Sequence, residues 1–258
     1  MQVDATSDGD RPTRLERALD RVPFLEKELL LLRWLVRPGD VCIDIGAAGG
    51  AHLLVMAARA GPTGRVLGVE PRPRSFAVLR RIVHLAGLGG QVTLVPIAVG
   101  DRSGDLDLRV PVVPTRAHLR GSTSDPEAAA AFSGLPARRM SVPTRRLDDV
   151  VSAAGLERVD VLKCDVEGAE LLVVAGATRV LTDLRPIVVV EADDLHQRRF
   201  DATAQDVLDA VTAHGYRAYR YLRGQLVHAS DATSAEDDYV LVPDERPVPT
   251  PASSLRTA

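Results

Sequence analysis

Asparagine does not occur in this chain of 258 residues, and lysine occurs only twice, as Lys27 and Lys163, among 32 basic residues. Both amino acids have AT-rich codons, so their scarcity reads as the mark of a GC-rich genome. An asparagine missing from a motif therefore need not mean missing chemistry. Two cysteines, Cys42 and Cys164, are too few for a disulfide framework. Each lies in an apolar run and is expected as a reduced core residue in a reducing compartment. Long apolar runs are lacking too: Leu29 to Val36 is interrupted by Arg33 and falls far short of the ~20 residues that span a bilayer. Met1 to Asp20 carries no apolar signal core. The expectation is a soluble, cytoplasmic protein with no membrane partner. A one-sided charge is also absent. The net charge is −3 and basic residues are scattered, which argues against a nucleic-acid partner.

What is present is a 45% hydrophobic composition, enough for one sizeable α/β core. Strand and helix patterns alternate. Val41–Ile45, Arg65–Glu70, Gln91–Val99, Val159–Cys164 and Ile187–Glu191 read as strands, with helices expected at Ala51–Ala60, Arg74–Ala86, Glu167–Leu181 and Thr203–His214. Gly100–Gly104 reads as a hairpin turn into Asp105–Val110, while Tyr216–Leu222 and Tyr239–Val242 close the sheet. This order implies a doubly wound, mainly parallel seven-stranded sheet covered on both faces. Residues 1–37 form a tail and helices that pack on or lid the core, and the segment Leu25 to Val36 is a candidate for a lid or a homodimer face. The core domain runs over 38–243. Within it, 111–140 is an insert rich in Pro, Ala, Arg and Ser, and 244–258 is a tail.

Chemistry gathers at strand ends. Val41 to Ile45 leads through Asp44 into Gly46-Ala47-Ala48-Gly49-Gly50 at a helix start. Ligands of open α/β sheets bind at such carboxyl ends, near the topological switch point. The spacing does not supply the G-x-G-x-x-G of a dinucleotide site, and Asp44 would repel a pyrophosphate. S-adenosylmethionine carries an ammonium, a sulfonium and no phosphate. Glu70, 26 residues after Asp44, ends the second strand and can accept hydrogen bonds from both ribose hydroxyls. Asp165 ends the fourth strand and is followed by Glu167 and Glu170, whose charges also suit a helix start. Glu191, Asp193, Asp194 and His196 follow the fifth.

These residues resemble the FkbM family of methyltransferases. The likeness rests on Asp44-Ile45-Gly46-Ala47-Ala48, on Glu70-Pro71, on Lys163-Cys164-Asp165-Val166-Glu167-Gly168-Ala169-Glu170 and on Glu191, and extends from about Pro38 to Pro243. Ala48 stands where the family usually has Asn, and His52 and Leu53 where it often has Tyr and Thr. The resemblance implies a Rossmann-like class I methyltransferase fold and S-adenosylmethionine as donor. It also implies O-methylation of a small hydroxylated natural product or sugar. By motif position, Asp44, Gly46, Ala47 and Gly50 surround the methionine portion. Glu70 with Pro71 meets the ribose, Ala98 the adenine, and Asp165 lies near the transferring methyl group.

A neutral alcohol must lose its proton as the new bond forms, so a base within reach is required. Asp165, Glu191 and His196 are the catalytic candidates, with His118 behind them. A divalent cation on Asp165, Glu191 and Asp193 is an alternative that is not favoured, and the metal question stays open. The insert is a candidate lid, with Arg116, Arg120, Arg138 and Arg139 as possible anion contacts or simply solvated charge. An N-methyltransferase and a non-catalytic adenosine-binding scaffold are the competing functions.

Overall fold

The computed structural model describes residues 27–111, 137–197, 200, 202–222, 224–232 and 238–250. Its main sheet holds β1 (Val41–Ile45), β2 (Arg65–Val69), β3 (Val92–Val95), β7 (Val161–Cys164), β8 (Ile187–Glu191), β9 (Tyr216–Leu222), β10 (Gln225–His228) and β11 (Asp238–Pro243). The order across the sheet is β3-β2-β1-β7-β8-β11-β9-β10. The five strands from β3 to β8 are parallel, and β11, β9 and β10 continue antiparallel. The chain steps outward from β1 to β3 and returns to the other side of β1 at β7, so the switch point lies between β1 and β7.

The sheet is thus doubly wound and mostly parallel, but mixed and eight-stranded rather than seven-stranded. The added strand, β10, is a sheet edge with mostly exposed residues. It carries little of the burial alternation by which strands announce themselves. The stretch 91–99 is also not one strand. Pro96 lacks an N–H to continue the ladder, and Ala98–Val99 (β4) joins a separate three-stranded sheet with β5 (Gly104–Pro111) and β6 (Ala137–Arg145), ordered β4-β6-β5. The turn at Gly100–Gly104 therefore joins two strands that do not pair, because β6 runs between them. The two ends of the presumed insert are β strands, paired from Gly104↔Thr144 to Pro111↔Ala137.

Helices α1 (Lys27–Leu35), α2 (Ala51–Ala60) and α3 (Pro73–Leu85) cover one face, with Leu29, Leu31, Leu32, Leu53, Val55, Met56 and Leu79 buried against Cys42, Val66, Val161 and Val189. The apolar side of α1 is thereby used within the molecule. The other face is covered by α4 (Leu147–Ala153), α5 (Glu170–Ala175), a π-helical turn at Val180–Leu184 and α7 (Ala204–Thr212), packed on Ile43, Ile45, Leu162, Val188 and Val190. Thr203 and Asp206 start α7 with a reciprocal capping box. The expected helix 167–181 is broken at Gly176, where a Cβ would lie 2.0 Å from the carbonyl oxygen of Gly100. Beyond the break, Asp148 accepts from the N–H groups of Arg179 and Val180 and restarts the chain as the π turn. No helix among the described residues is long and apolar enough to cross a membrane.

The pleat decides where the charged residues fall. Side chains alternate along each strand, so Asp44 shares a face with Cys42, and Lys163 with Val161, on the side of α1, α2 and α3. Burying an aliphatic side chain there would contribute about 1.5–3 kcal/mol. The strand tips forgo that and carry charge.

Candidate active site

Asp44 is 0% exposed and is the register partner of Gly68 on β2 and Lys163 on β7. Neither of its carboxylate oxygens has a hydrogen-bond partner. Burial raises its pKa, and the charges of Asp165 and Glu70 add to that, while Lys163 and His52 pull it back. All four groups are therefore close enough for their charges to interact with Asp44. A buried carboxylate without hydrogen bonds is costly and uncommon in a folded protein.

The turn after β1 is bound to both neighbouring strands. The N–H groups of Gly46 and Ala47 each donate to the carbonyl of Val69, at 3.0 Å. Gly46 has φ 84°, and a Cβ on it would sit 1.8 Å from the carbonyl oxygen of Asp165. Only glycine permits that approach. Gly50 precedes α2 with φ 85°. Ala48 also lies in the left-handed region, at φ 44°, and its N–H donates to Glu70 Oε2 at 2.8 Å.

Glu70, at the tip of β2, is 1% exposed. Its Oε1 accepts from the backbone N–H and the Nε of Arg72, at 2.8 and 2.9 Å. Pro71 is half-buried beside it. At the tip of β7, Lys163 Nζ donates to Asp165 Oδ2 at 3.0 Å, with the ammonium 3% and the carboxylate 22% exposed. Burial works to raise the pKa of Asp165. The Lys163 charge and hydrogen bonds from Glu191 and Lys163 outweigh it and hold Asp165 well below the usual carboxylate range. For Lys163, burial lowers the pKa, but Asp165 and Asp44 more than restore it.

The structure thus brings together Asp44, Gly46, Ala47, Glu70, Asp165 and Glu191. His196 lies on α6 (Asp194–Gln197), its ring 3.6 Å from Glu167 and 3.9 Å from Asp193. Ala98 is buried in β4, beyond the end of β3 on the same carboxyl rim. Glu167 does not begin a helix: it has φ 59° and precedes α5. Glu170 is not simply a charge at a helix start, since it is 1% exposed and accepts from the N–H groups of Val166 and Gly168.

Among the described residues no three His, Cys, Asp or Glu side chains form a group that could hold a metal ion, so Asp165, Glu191 and Asp193 do not assemble as the oxygen set considered above. His118, Arg116 and Arg120 lie outside the described residues, as do the side chains of Arg138 and Arg139, which belong to β6.

Several residues of the site escaped the reading of the sequence. His52 Nε2, on the first turn of α2, lies 3.0 Å from Glu28 Oε2 on α1. The signal for Glu28 was an acid inside an otherwise apolar helix. Arg72 covers Glu70, and Gln197, fully buried, donates to Glu170. Neither has a local pattern that distinguishes it from a surface residue.

Residues 44–218 match the family described as Methyltransferase FkbM domain. The chain is 33% identical over 168 residues to 2-O-methyltransferase NoeI of Sinorhizobium fredii, covering 62% of this chain and 66% of that protein. It is 28% identical over 200 residues to 31-O-demethyl-FK506 methyltransferase FkbM of Streptomyces tacrolimicus, covering 70% of this chain and 74% of that one. The crystal structure of methyltransferase FkbM from Methylobacillus flagellatus KT superposes with a TM-score of 0.49 at 16% identity, over 83% of this chain and 50% of that one.

Proposed function

We propose that this chain, which belongs to the FkbM methyltransferase family, transfers a methyl group from S-adenosylmethionine to a hydroxyl of a small natural product or sugar. The observation that carries the reading is the fully buried, unpartnered Asp44 carboxylate at the switch point, set beside a glycine turn and one strand from Glu70. A cationic nucleoside suits this surplus of negative charge, whereas a pyrophosphate would be repelled. The residues fit such a group: Asp44, Gly46, Ala47 and Gly50 for the methionine portion, Glu70 and Pro71 for the ribose, and Ala98 toward the adenine. When bound, S-adenosylmethionine supplies an electrophilic methyl group on a sulfonium.

The remaining chemistry falls to the chain's own side chains. Positioning supplies much of the acceleration of an in-line displacement. Asp165, kept anionic by Lys163, is a poor proton acceptor but a good hydrogen-bond acceptor, suited to orienting the acceptor hydroxyl. We assign His196 as the group that takes the proton, because Glu191 can hydrogen-bond to the anionic Asp165 only by donating a proton of its own. The relatives named above support oxygen as the methyl acceptor, since NoeI is a 2-O-methyltransferase and the Streptomyces tacrolimicus enzyme a 31-O-demethyl-FK506 methyltransferase.

The test is incubation of the full chain with methyl-labelled S-adenosylmethionine and a panel of sugars and polyketide-like alcohols, each paired with its amine counterpart. Label in an ether linkage, with release of S-adenosylhomocysteine, is expected. Label only in amines would favour N-methylation, and binding without transfer to any acceptor would favour a scaffold.

A further inference from the structure

The loop after β7 and the segment after β8 each carry a residue proposed to act in catalysis, and they are joined by one buried polar contact. Glu170 Oε1 accepts from the N–H groups of Val166 and Gly168, at 2.8 and 3.3 Å. Its other oxygen, Oε2, accepts from Gln197 Nε2 at 2.5 Å. A carboxylate only accepts, so Gln197 must turn its NH₂ toward it, and its own oxygen is left without a partner. Both side chains are at most 1% exposed.

The backbone on either side is set for this contact. Glu167 has φ 59°, a conformation that an L-residue does not hold without support, and Gly168 follows at φ 108°, which glycine adopts freely. A Cβ on Gly168 would lie 2.2 Å from the carbonyl oxygen of His196. The two rim segments therefore touch backbone to backbone, three residues past Asp165 on one side and at His196 itself on the other.

From this we infer that Glu170 and Gln197 are positioning residues: their buried hydrogen bond fixes the β7 loop against the β8 segment and so sets the approach of Asp165 to Glu191 and His196. Neither residue touches the reacting atoms. The inference rests on the methyl-transfer reading for its effect on turnover, but the mechanical coupling it describes is measurable without turnover.

The experiment compares the wild type with Gln197→Leu and with the exchanged pair Glu170→Gln/Gln197→Glu. In the exchanged pair, the Gln at 170 can accept from Val166 and Gly168 through its oxygen and donate its NH₂ to the Glu at 197. The hydrogen-bond pattern is conserved with the charge moved. Hydrogen exchange is read on peptides covering 165–168 and 191–197, alongside S-adenosylhomocysteine affinity by calorimetry and kcat. Gln197→Leu is expected to speed exchange in both segments at least tenfold. It should also lower kcat more than tenfold while affinity changes less than about threefold, and the exchanged pair should restore both readouts toward wild type. Gln197→Met replaces the leucine variant should that one not fold. Unchanged exchange over 165–168 in the Gln197 variant would overturn the coupling, as would an exchanged pair that folds yet behaves like it. Failure of the wild type to bind S-adenosylhomocysteine would count against the methyl-transfer reading instead, with the exchange data still deciding the coupling.

Discussion

Asp44 and Lys163 are register partners on adjacent parallel strands, yet the ammonium of Lys163 is hydrogen-bonded to Asp165, and both oxygens of Asp44 remain without a hydrogen bond. Lys163, the one buried cation among the described residues, is hydrogen-bonded to one acid while a second acid lies beside it. That division separates their roles. Asp165 has its counter-charge in hydrogen-bond contact, and Asp44 does not.

Asp44→Asn should make the folded protein more stable and the site weaker. The folded pKa of Asp44 lies above its ordinary 3.8, chiefly because of burial. Its favourable contribution is therefore present below pH 3.8 and is lost as pH rises through the folded value, leaving a net cost at neutral pH. Removing the charge relieves that cost. Thermal denaturation at pH 7 should show a higher Tm, by about 2–4 °C for each ~1 kcal/mol regained, and an unchanged or lower Tm would speak against an uncompensated carboxylate.

The acid limb of stability should depend on Asp165 with the opposite sign. Its folded pKa is depressed, so its contribution is present above the ordinary 3.8 and is lost as pH falls from there toward the folded value. Tm recorded from about pH 5 to about pH 3 should fall less steeply for Asp165→Asn than for the wild type. Parallel curves would contradict the Lys163–Asp165 pairing.

Ala48→Gly should stabilise the fold by about 1 kcal/mol, since a left-handed conformation costs an L-residue ~1–2 kcal/mol and glycine returns part of that as chain entropy. The N–H that donates to Glu70 is retained, so ligand affinity should not fall. Denaturant titration with an unchanged m-value checks both the size and the two-state basis of the gain.

Gly46→Ala is the harsher change. The added methyl would press on the carbonyl of Asp165, backbone that cannot rotate away, and overpacking of this kind costs about 1–3 kcal/mol. A stability loss in that range, accompanied by weaker S-adenosylhomocysteine binding, is expected from equilibrium unfolding and calorimetry. Normal values in both would mean that the β1 turn and the tip of β7 are not in contact.

Much of this was legible in the residue order. Short apolar runs with Asp44, Glu70, Asp165 and Glu191 at their ends gave the parallel strands and their acidic rim together, because strand periodicity and strand-end acids are both local signals. Where the reading departed from the structure, the cause was tertiary. Pro96 splits one apolar run between two sheets, and Gly176 ends a helix because another backbone lies against it. The pairing of β4 with β6 joins segments more than 40 residues apart, which no local pattern reports. The same holds for His52 with Glu28 and for Glu170 with Gln197, whose partners are distant in sequence and whose types are unremarkable until they are found buried.

Calorimetric titration of S-adenosylmethionine into the wild type, Asp44→Ala and Glu70→Ala addresses the convergence of the strand-end acids most directly. The wild type is expected to bind, and each variant, checked for folding by circular dichroism, should lose at least tenfold in affinity, roughly 1.4 kcal/mol. Two folded variants that bind as tightly as the wild type would contradict it.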